Sequence, residues 1–462
     1  MKINKTIFKE YDIRGAYPAE INEQTAFVLG LAFARAARVK KIVVGRDARQ
    51  ETAQVFWPFI AGLTKGGVKI CSLDICSTPE LFFAVGDKKF PAGCMVTASH
   101  SPAGQTGFKF CDSQGRVWGS KTGLARVRKE AGKIKTDGIE SLSGKVEQIS
   151  IFDSYEKFIK KIVDFKKILG FKIVMDASGG SGANLAKEVF SKLPLRAKWM
   201  NFCSGDAYPD HGLNPLIRGN WQSAAKEVKK ISADLGVVFD GDADRVIYID
   251  EAGKFVQPYY INCLLAKIIL AKKKKETIIA DARLALGIEE VVRNAGGKLI
   301  SHRSGYANII RTMQAKKIKF ACENSGHFMF NFSWVKDGAN FAYGEGILPL
   351  LIILEYLRKN KLSLGQAVAE YRKKYLISGE INLPLRDFAP AEKRIKSVFS
   401  GAIFKYIDGL SAYDPKNQWF FNFRPSHTEP VARLNIEALN AAVMARLKKQ
   451  LLDLLEKENR RT

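Results

Sequence analysis

Three short apolar runs recur along the chain with one pattern. Each is rich in β-branched residues, ends at an aspartate and is followed by a segment with helical spacing of apolar residues. The runs lie at 41–47, 172–176 and 277–281, and the segments after them at 53–64, 183–193 and 286–294. Runs of this length are typical of buried strands, and strands that alternate with helices predict α/β layers around a largely parallel sheet.

The pattern changes beyond Ile377. Runs at 379–385 and 419–423 predict strands, and 438–457 predicts one long amphipathic helix. We therefore expect three successive related α/β domains with mixed sheets, followed by a smaller C-terminal α+β domain. Charged stretches between these parts predict domains at 1–150, 151–253, 254–372 and 373–462.

The composition is that of an ordinary globular chain, with 462 residues, 46% hydrophobic and 26% charged. Apolar runs fall well short of the ~20 residues that span a bilayer, and the first residues lack a secretory pattern. Seven cysteines without a CxxC pair predict neither a disulfide framework nor a zinc site. We expect a cytoplasmic protein with no membrane partner.

The chain carries a formal net charge of +26. Strongly basic chains often bind nucleic acid, but here the lysines are scattered in short runs and not gathered in one arm. A solvated lysine-rich surface and the steering of anionic substrates are the favoured interpretations, and we predict no nucleic-acid partner. Salt-dependent retention on DNA, with none on sugar phosphates, would instead support the nucleic-acid hypothesis.

A loop at residues 97–102, with the sequence TASHSP, follows a predicted strand end at 94–96. Such a loop presents Ser99 at the carboxyl edge of a sheet, where α/β proteins bind ligands. An ordinary turn is an alternative, because hydroxyl side chains are common in turns. A serine hydrolase is disfavoured because the G-x-S-x-G elbow is absent and the adjacent His100 is expected to be badly placed to accept the Ser99 proton.

A second loop, at residues 240–245, has the sequence DGDADR. In an extended segment, Asp240, Asp242 and Asp244 would face the same way and could bind one hard cation. With Glu251 the spacing imitates an EF-hand, but position six is Arg245 where glycine is needed, and the flanks predict strands. The loop therefore favours a magnesium site over a solvated acidic turn.

Two further polar clusters suit a sugar phosphate. Residues 323–327, ENSGH, offer a carboxylate, a hydroxyl and an imidazole to sugar hydroxyls. Residues 424–430, RPSHTEP, offer a guanidinium and two hydroxyls to a phosphate. Either cluster alone is also compatible with an ordinary polar loop.

Together these motifs are similar to those of the α-D-phosphohexomutases, and among them to the bacterial phosphomannomutase/phosphoglucomutase group. The motifs include FKEYDIRG at 8–15 and GRD at 45–47, and they follow the family's order along essentially the whole chain. The resemblance implies three related α/β domains and a fourth α+β domain arranged around a central cleft. It also implies an isomerase that interconverts hexose 1-phosphate and hexose 6-phosphate through an enzyme phosphoserine and a hexose 1,6-bisphosphate.

The resemblance implies a role for each matching residue. The catalytic residues would be Ser99, as the phosphorylated group, His100, Lys109, Arg14 and Arg245. One Mg²⁺ would be held by Asp240, Asp242, Asp244 and an oxygen of phosphorylated Ser99. The sugar and its second phosphate would be bound by Glu323, Ser325, His327, Arg424, Ser426, His427, Thr428, Arg283 and Tyr306. Hexose 1,6-bisphosphate would act as activator, and the chain would be a monomer or homodimer.

Several positions depart from the family's pattern. They are Ser101, Gln105, Thr106, Arg283, Tyr306, Cys322, Asn324 and His427. These changes leave Ser99, the aspartates and Glu323 in place, so they bear on substrate preference. Mannose and glucose phosphates are favoured over glucosamine phosphate because the chain has YDIRG at 11–15 and SGH at 325–327. A phosphoserine-using phosphohydrolase and an inactive sugar-phosphate-binding relative are the alternatives.

Overall fold

The computed structural model describes residues 3–135, 138–139, 144–181, 183–193, 195–202, 211–272, 275–334, 340–385, 387–426 and 431–461. The chain forms two compact units. The first comprises Met1–Val256, Gln314–Lys317 and Ser325–Leu364, and the second comprises Gln257–Met313, Ile318–Asn324 and Gly365–Thr462. No helix in the described part of the chain is long and apolar enough to cross a membrane.

The first sheet has the strand order β1-β5-β4-β2-β3-β6. Its strands are β1 (Ile13–Ala16), β2 (Lys41–Arg46), β3 (Lys69–Ile75), β4 (Ala92–Val96), β5 (Gln105–Asp112) and β6 (Val146–Gln148). Strand β5 runs antiparallel to β1 and β4, whereas β2 is parallel to β3 and β4. The accompanying helices are α1 (Glu23–Ala37), α2 (Gln50–Lys65), α3 (Thr78–Asp87) and α4 (Gly123–Ala131). Apolar side chains of α1, α2, β4 and β5 fill one buried core.

The second sheet has the strand order β11-β10-β9-β7-β8. Its strands are β7 (Lys172–Asp176), β8 (Arg196–Met200), β9 (Leu235–Phe239), β10 (Val246–Ile249) and β11 (Phe255–Val256). Strand β7 is parallel to β8 and β9, and β10 is antiparallel to β9 and β11. The helices of this part are α5 (Phe152–Lys160), α6 (Ala183–Ser191) and α7 (Arg218–Lys230).

The next part of the chain has three parallel strands with β12 in the centre. They are β12 (Thr277–Asp281), β13 (Lys298–His302) and β14 (Phe320–Cys322). The first compact unit holds an antiparallel pair, β15 (Phe328–Asn331) and β16 (Ala342–Gly344). The helices are α8 (Pro258–Lys272), α9 (Leu286–Asn294), α10 (Tyr306–Lys316), α11 (Ile347–Asn360) and α12 (Leu364–Lys374).

The last sheet is antiparallel throughout, with the order β17-β21-β20-β19-β18. Its elements are β17 (Leu376–Pro384), α13 (Phe388–Val398), β18 (Ile403–Tyr406), β19 (Leu410–Asp414), β20 (Trp419–Pro425), β21 (Val431–Ala438) and α14 (Ala441–Arg461). The predicted start of the long helix at Ala438 is wrong, because Ala438 ends a strand and is fully buried. Asn440 accepts the backbone N–H of Ala442 and so begins the helix after the turn.

The same parallel trio occurs in all three α/β parts. The first strand lies between the second and third, as β4-β2-β3, β9-β7-β8 and β14-β12-β13. The aspartate that closes each first strand is buried and accepts the N–H two residues further on, from Arg49 to Asp47, Ser178 to Asp176 and Arg283 to Asp281. The predicted fold class of related α/β parts and a C-terminal α+β part is confirmed. The domain boundaries stay a prediction.

Helices α1 and α2 approach each other closely at two glycines. A Cβ on Gly30 would lie 2.1 Å from the Phe59 carbonyl oxygen, and one on Gly62 would lie 2.0 Å from the Phe27 carbonyl oxygen. No carbon atom fits at those distances, so the contact requires glycine on both helices. The core of the first sheet depends on this close packing.

We predict that Gly30→Ala destabilises the protein by about 2 kcal/mol or more, because the added methyl group forces the two helices apart. The unfolding midpoint in urea measures this. Gly219→Ala in α7 is the control, since nothing lies within 4 Å of its added Cβ, and it should be neutral or stabilising by up to about 1 kcal/mol. Equal midpoints for the two variants would contradict the prediction.

Candidate active site

Ser99 lies in the loop after β4 in a strained backbone conformation. Its φ is 52°, in the left-handed region that residues other than glycine rarely adopt. The Ser99 N–H donates to Thr97 Oγ1 at 2.8 Å, and Thr97 Oγ1 donates to Asp47 Oδ2 at 2.6 Å. The buried aspartate at the end of β2 thus holds the serine loop through a threonine.

Arg49 binds the same loop from the other side. One guanidinium nitrogen donates to the carbonyl oxygens of Ser99 at 2.5 Å and Ser101 at 2.6 Å, and another donates to that of Pro102 at 3.1 Å. Its Nε lies 3.3 Å from Asp47 Oδ2, and both side chains are almost fully buried. This clamp offsets the cost of the strained serine, which is of order 1–3 kcal/mol.

The three aspartates at 240, 242 and 244 are buried, with ligand atoms that all lie within 4.8 Å of one another. The prediction that they lie on an extended segment is wrong, because residues 241–244 form a turn in which Ala243 has a φ of 54°. The flanking strands β9 and β10 are those predicted, so an EF-hand is excluded. A Cβ on Gly241 would lie 2.7 Å from the Ser99 carbonyl oxygen, so the turn packs directly on the serine loop.

The serine hydroxyl faces this acidic turn. Ser99 Oγ donates to Asp240 Oδ2 at 3.2 Å and also lies 3.2 Å from His100 Nδ1. The expectation that His100 is badly placed toward the serine is therefore wrong, because the left-handed turn brings the two neighbouring side chains together. The charge of Arg245, burial and the charge of Arg14 hold the pKa of His100 well below its usual range, so its imidazole is neutral.

Cationic and imidazole groups surround the carboxylates. Lys109 Nζ lies 2.6 Å from Asp242 and 3.0 Å from Asp244. Burial by itself would lower the pKa of Lys109, but the two carboxylates outweigh burial and raise that pKa above its usual value. Arg245 Nε lies 3.7 Å from Asp240 Oδ2. His327 Nε2 accepts from Arg245 Nε at 3.2 Å and lies 3.2 Å from Asp244 Oδ1.

The donor set fits a hard divalent cation. Burial, followed by the charges of Asp244 and Asp242, raises the pKa of Asp240 well above its usual range, a repulsion that a bound cation would relieve. Asp242 Oδ1 is buried with no hydrogen-bond partner in the described part of the chain. Carboxylate oxygens are the ligands that Mg²⁺ prefers.

Two more residues of the first compact unit, Arg14 and Ser325, contact groups of this site. Arg14, on β1, donates to Ser101 Oγ at 2.9 Å and pairs with Asp12 at 2.5 Å, so it reaches the serine loop. Ser325 Oγ lies 2.9 Å from His327 Nδ1. The sequence placed His327 with a sugar loop, whereas the structure places its imidazole against the acidic turn.

The second compact unit contains Arg283, Tyr306 and Glu323, which are among the residues predicted to bind the sugar phosphate. Glu323 accepts the Gly305 N–H at 2.9 Å, beside Tyr306 at the start of α10. Asp281 accepts from the Arg283 guanidinium at 2.6 Å and from the Asn324 N–H at 2.6 Å. The strand-end aspartate thus connects the residue after Glu323 to Arg283.

Arg424 lies at the end of β20 and is 6% exposed. The carboxylate of Glu380 lies 3.3 Å from the Arg424 guanidinium and 3.4 Å from the Arg283 guanidinium, so the two arginines share it. Arg424 Nε also lies 3.9 Å from Asp408. Glu380 follows a bulge in β17, where the register of pairing with β21 shifts between Ile377 and Glu380. Ser426 follows β20, and His427 and Thr428 lie outside the described residues.

Sequence reasoning missed several groups that shape these sites, namely Arg49, Thr78, Glu380 and Asp408. Arg49 follows the GRD motif, and the STPE sequence at 77–80 has the signature of a helix capping box. Neither signal says what the residue contacts. The long-range pairing with Ser99, Asp242 or Arg424 exists only in the folded chain.

Models of one protein family match the chain in three places. They are described as phosphoglucomutase/phosphomannomutase α/β/α domain I at residues 5–136, domain II at 153–253 and domain III at 257–375. A relative from Xanthomonas campestris pv. campestris (strain B100), named "Phosphohexose mutases", is 32% identical over 448 residues, which cover 96% of this chain and 97% of the relative.

Two more similarities cover almost all of the chain. A phosphomannomutase from Escherichia coli is 31% identical over 462 residues, covering 98% of this chain and 99% of the relative. A crystal structure of a phosphoglucomutase/phosphomannomutase family protein from Burkholderia thailandensis matches with a TM-score of 0.84 at 25% identity, over 99% of this chain and 98% of that chain.

The chain therefore belongs to the phosphoglucomutase/phosphomannomutase family, as the sequence motifs predicted. It is a phosphohexomutase, an intramolecular phosphotransferase of the isomerase class.

We predict that Arg49→Met destabilises the protein by roughly 3–5 kcal/mol, because it removes the clamp and leaves the buried Asp47 without its cation. Chemical unfolding measures this. Arg116 pairs with Asp112, and its side chain is 47% exposed, so the control Arg116→Met should cost less than about 1 kcal/mol. Similar losses in both variants would show that the clamp contributes no more than a surface pair.

Proposed function

We propose that the protein interconverts the 1- and 6-phosphates of mannose, glucose or both through a phosphate carried by Ser99 and a hexose 1,6-bisphosphate. The observation that carries the proposal is the contact of Ser99 Oγ with Asp240 at 3.2 Å, beside three buried carboxylates. A lone serine or an acidic turn is common. A strained, clamped serine against such a cluster suits a phosphoryl group and a cation.

The transfer needs few covalent changes. A free sugar hydroxyl forms a bond to the phosphorus of phosphorylated Ser99, and the bond from phosphorus to Ser99 Oγ breaks. One proton passes in net from the sugar hydroxyl to Ser99 Oγ, and we assign to Lys109 a part in this transfer, with His100 beside the serine. The bisphosphate then presents its other phosphate, and the reverse reaction restores phosphorylated Ser99. Turnover consumes no cofactor.

Stabilisation in this site is mainly electrostatic. Asp240, Asp242 and Asp244, with an oxygen of phosphorylated Ser99, would hold one Mg²⁺, which when bound supplies positive charge to the phosphoryl oxygens. Arg245 and Arg14 add fixed positive charge near the serine loop. Phosphoryl transfer depends mostly on such positioning and charge, since little covalent chemistry falls to the protein.

We assign recognition of the sugar phosphate to the remaining residues of the two clusters. Glu323, Ser325 and His327 are proposed to bind sugar hydroxyls. The non-reacting phosphate is assigned to Arg424, Ser426 and Thr428. His427, with Arg283 and Tyr306 from outside the clusters, is assigned to substrate binding more generally. Arg424 supports this assignment, because its buried guanidinium lies beside Arg283 with Glu380 shared between them.

The substrate assignment is tested by measuring turnover of mannose 1-phosphate, glucose 1-phosphate and glucosamine 1-phosphate side by side, with a trace of hexose 1,6-bisphosphate. We expect the mannose or glucose compound to be the best substrate. Glucosamine 1-phosphate as the best substrate would indicate a phosphoglucosamine mutase, and net release of inorganic phosphate would indicate a phosphohydrolase.

We predict that the intact mass of the purified protein includes one phosphate and that Ser99→Ala removes this mass together with most activity, because Ser99 Oγ carries the group. Ser101→Ala, in the same loop, is the control and should keep the adduct. An adduct that persists in Ser99→Ala would place the phosphate on another residue.

We predict that Arg424→Ala weakens apparent affinity for both the 1-phosphate and the 6-phosphate roughly tenfold or more, since a charge-assisted contact contributes on the order of 1.5–3 kcal/mol. Both isomers should be affected because each places its non-reacting phosphate on the same residue. Steady-state kinetics with each isomer measures this, with the exposed Arg394→Ala of α13 as control. Loss for one isomer alone would contradict a shared phosphate site.

A further inference from the structure

Thr78, the first residue of α3, contacts the acidic turn of residues 240–245 but belongs neither to that turn nor to the Ser99 loop. Its Oγ1 donates to Asp242 Oδ2 at 2.5 Å, and its N–H donates to the Asp242 carbonyl oxygen at 2.9 Å. The residue is 2% exposed. It is therefore a buried threonine with two hydrogen bonds to one aspartate of the acidic turn.

The position of this hydroxyl is fixed by the start of α3. Ser77 Oγ accepts the Glu80 N–H at 3.2 Å, and Glu80 Oε2 accepts the Ser77 N–H at 2.6 Å, which forms a reciprocal capping box around Thr78. Pro79 lies in the first turn and restricts the backbone further. The helix start leaves the threonine little freedom to move away from Asp242.

The two oxygens of Asp242 have different surroundings. Oδ2 accepts from Thr78 and lies 2.6 Å from Lys109 Nζ. Oδ1 is buried and has no hydrogen-bond partner among the residues described. A carboxylate in this state has one oxygen bound by the protein and the other available to a ligand.

We infer that Thr78 is a positioning residue for the cation site. It holds Asp242 through Oδ2 and leaves Oδ1 available to a cation. The inference deepens the proposed function and rests on it, because it assumes that the acidic turn binds a divalent cation. Partners that hydrogen-bond to a metal ligand orient it, and their loss costs roughly 10–100-fold in metal affinity. Thr78 also links the helix after β3 to the turn that Ser99 contacts.

Binding of Mn²⁺ to the purified protein tests the inference, with free Mn²⁺ counted by electron paramagnetic resonance. We predict that Thr78→Val, which has nearly the same shape but no hydroxyl, binds Mn²⁺ roughly 10–100-fold more weakly than the unmodified protein. Thr78→Ser keeps the hydroxyl and should bind within a few-fold. Thr78→Ala replaces the valine variant, with the same expectation, should that variant not fold.

Thr25→Val is the matched control. Thr25 is also fully buried in the first turns of a helix, and its hydroxyl donates to Asn22 at 3.0 Å and to no residue of the acidic turn. The control should lose stability without losing Mn²⁺ affinity. Because a positioning defect is a defect of metal binding, raising the Mg²⁺ concentration should restore turnover in Thr78→Val.

The outcomes separate the inference from the proposal beneath it. If the unmodified protein binds no Mn²⁺, the proposed metal site itself is wrong. If it binds Mn²⁺ and Thr78→Val binds equally well, Thr78 does not position Asp242 and the inference is overturned. Equal losses in Thr78→Val and Thr25→Val, or in Thr78→Val and Thr78→Ser, would overturn it too, since the effect would then not depend on the hydroxyl at Asp242.

Discussion

Repulsion among three buried carboxylates is the main constraint on the candidate site in the first compact unit. Asp240, Asp242 and Asp244 have ligand atoms within 4.8 Å of one another and away from water. Like charges at this distance in a buried setting raise a pKa or require cations. Burial, and after it the charges of Asp244 and Asp242, raises the pKa of Asp240, and Lys109 and Arg245 lie against the cluster. This constraint explains why basic side chains gather at the turn.

Strain at Ser99 is the second feature, and the fold supports it with buried polar contacts. The left-handed backbone brings the hydroxyl to both Asp240 and His100. Arg49 and Thr97 hold the loop, and both depend on Asp47 at the end of β2. The helix start at Thr78 holds the acidic turn in a similar way. Rigid strands and helix ends thus hold groups that loops alone would leave mobile.

The second compact unit also has a buried strand-end aspartate that holds nearby loops. Asp281 ends the central strand of its trio, as Asp47 does, and binds Arg283 and the residue after Glu323. Glu380 then links Arg283 to Arg424. Since buried arginines need carboxylate partners, Asp281, Glu380 and Asp408 hold the guanidinium groups of Arg283 and Arg424 in place. The strand-end aspartate therefore holds different neighbouring loops in related α/β parts.

The sequence by itself determined much of this protein. Apolar runs that end at aspartates predicted the central strands β2, β7 and β12, because β-branched residues are enriched in strands, where they pack well on a buried pleated surface. The motifs at Ser99, Asp240, Glu323 and Arg424, with FKEYDIRG at 8–15 and GRD at 45–47, resemble those of the family in the same order, and this resemblance predicted the family. Helix α14 began later than predicted because apolar spacing does not distinguish the end of β21 from the first helical turn.

Only the tertiary structure decided which groups meet. The aspartates converge through a turn at Ala243, not along an extended strand, and His327 lies against that turn. Thr78 and Arg49 reach partners 164 and 50 residues away along the chain. Contacts of this kind carry no local signal, because they depend on how separate strands and helices pack and not on the propensities of their own segments.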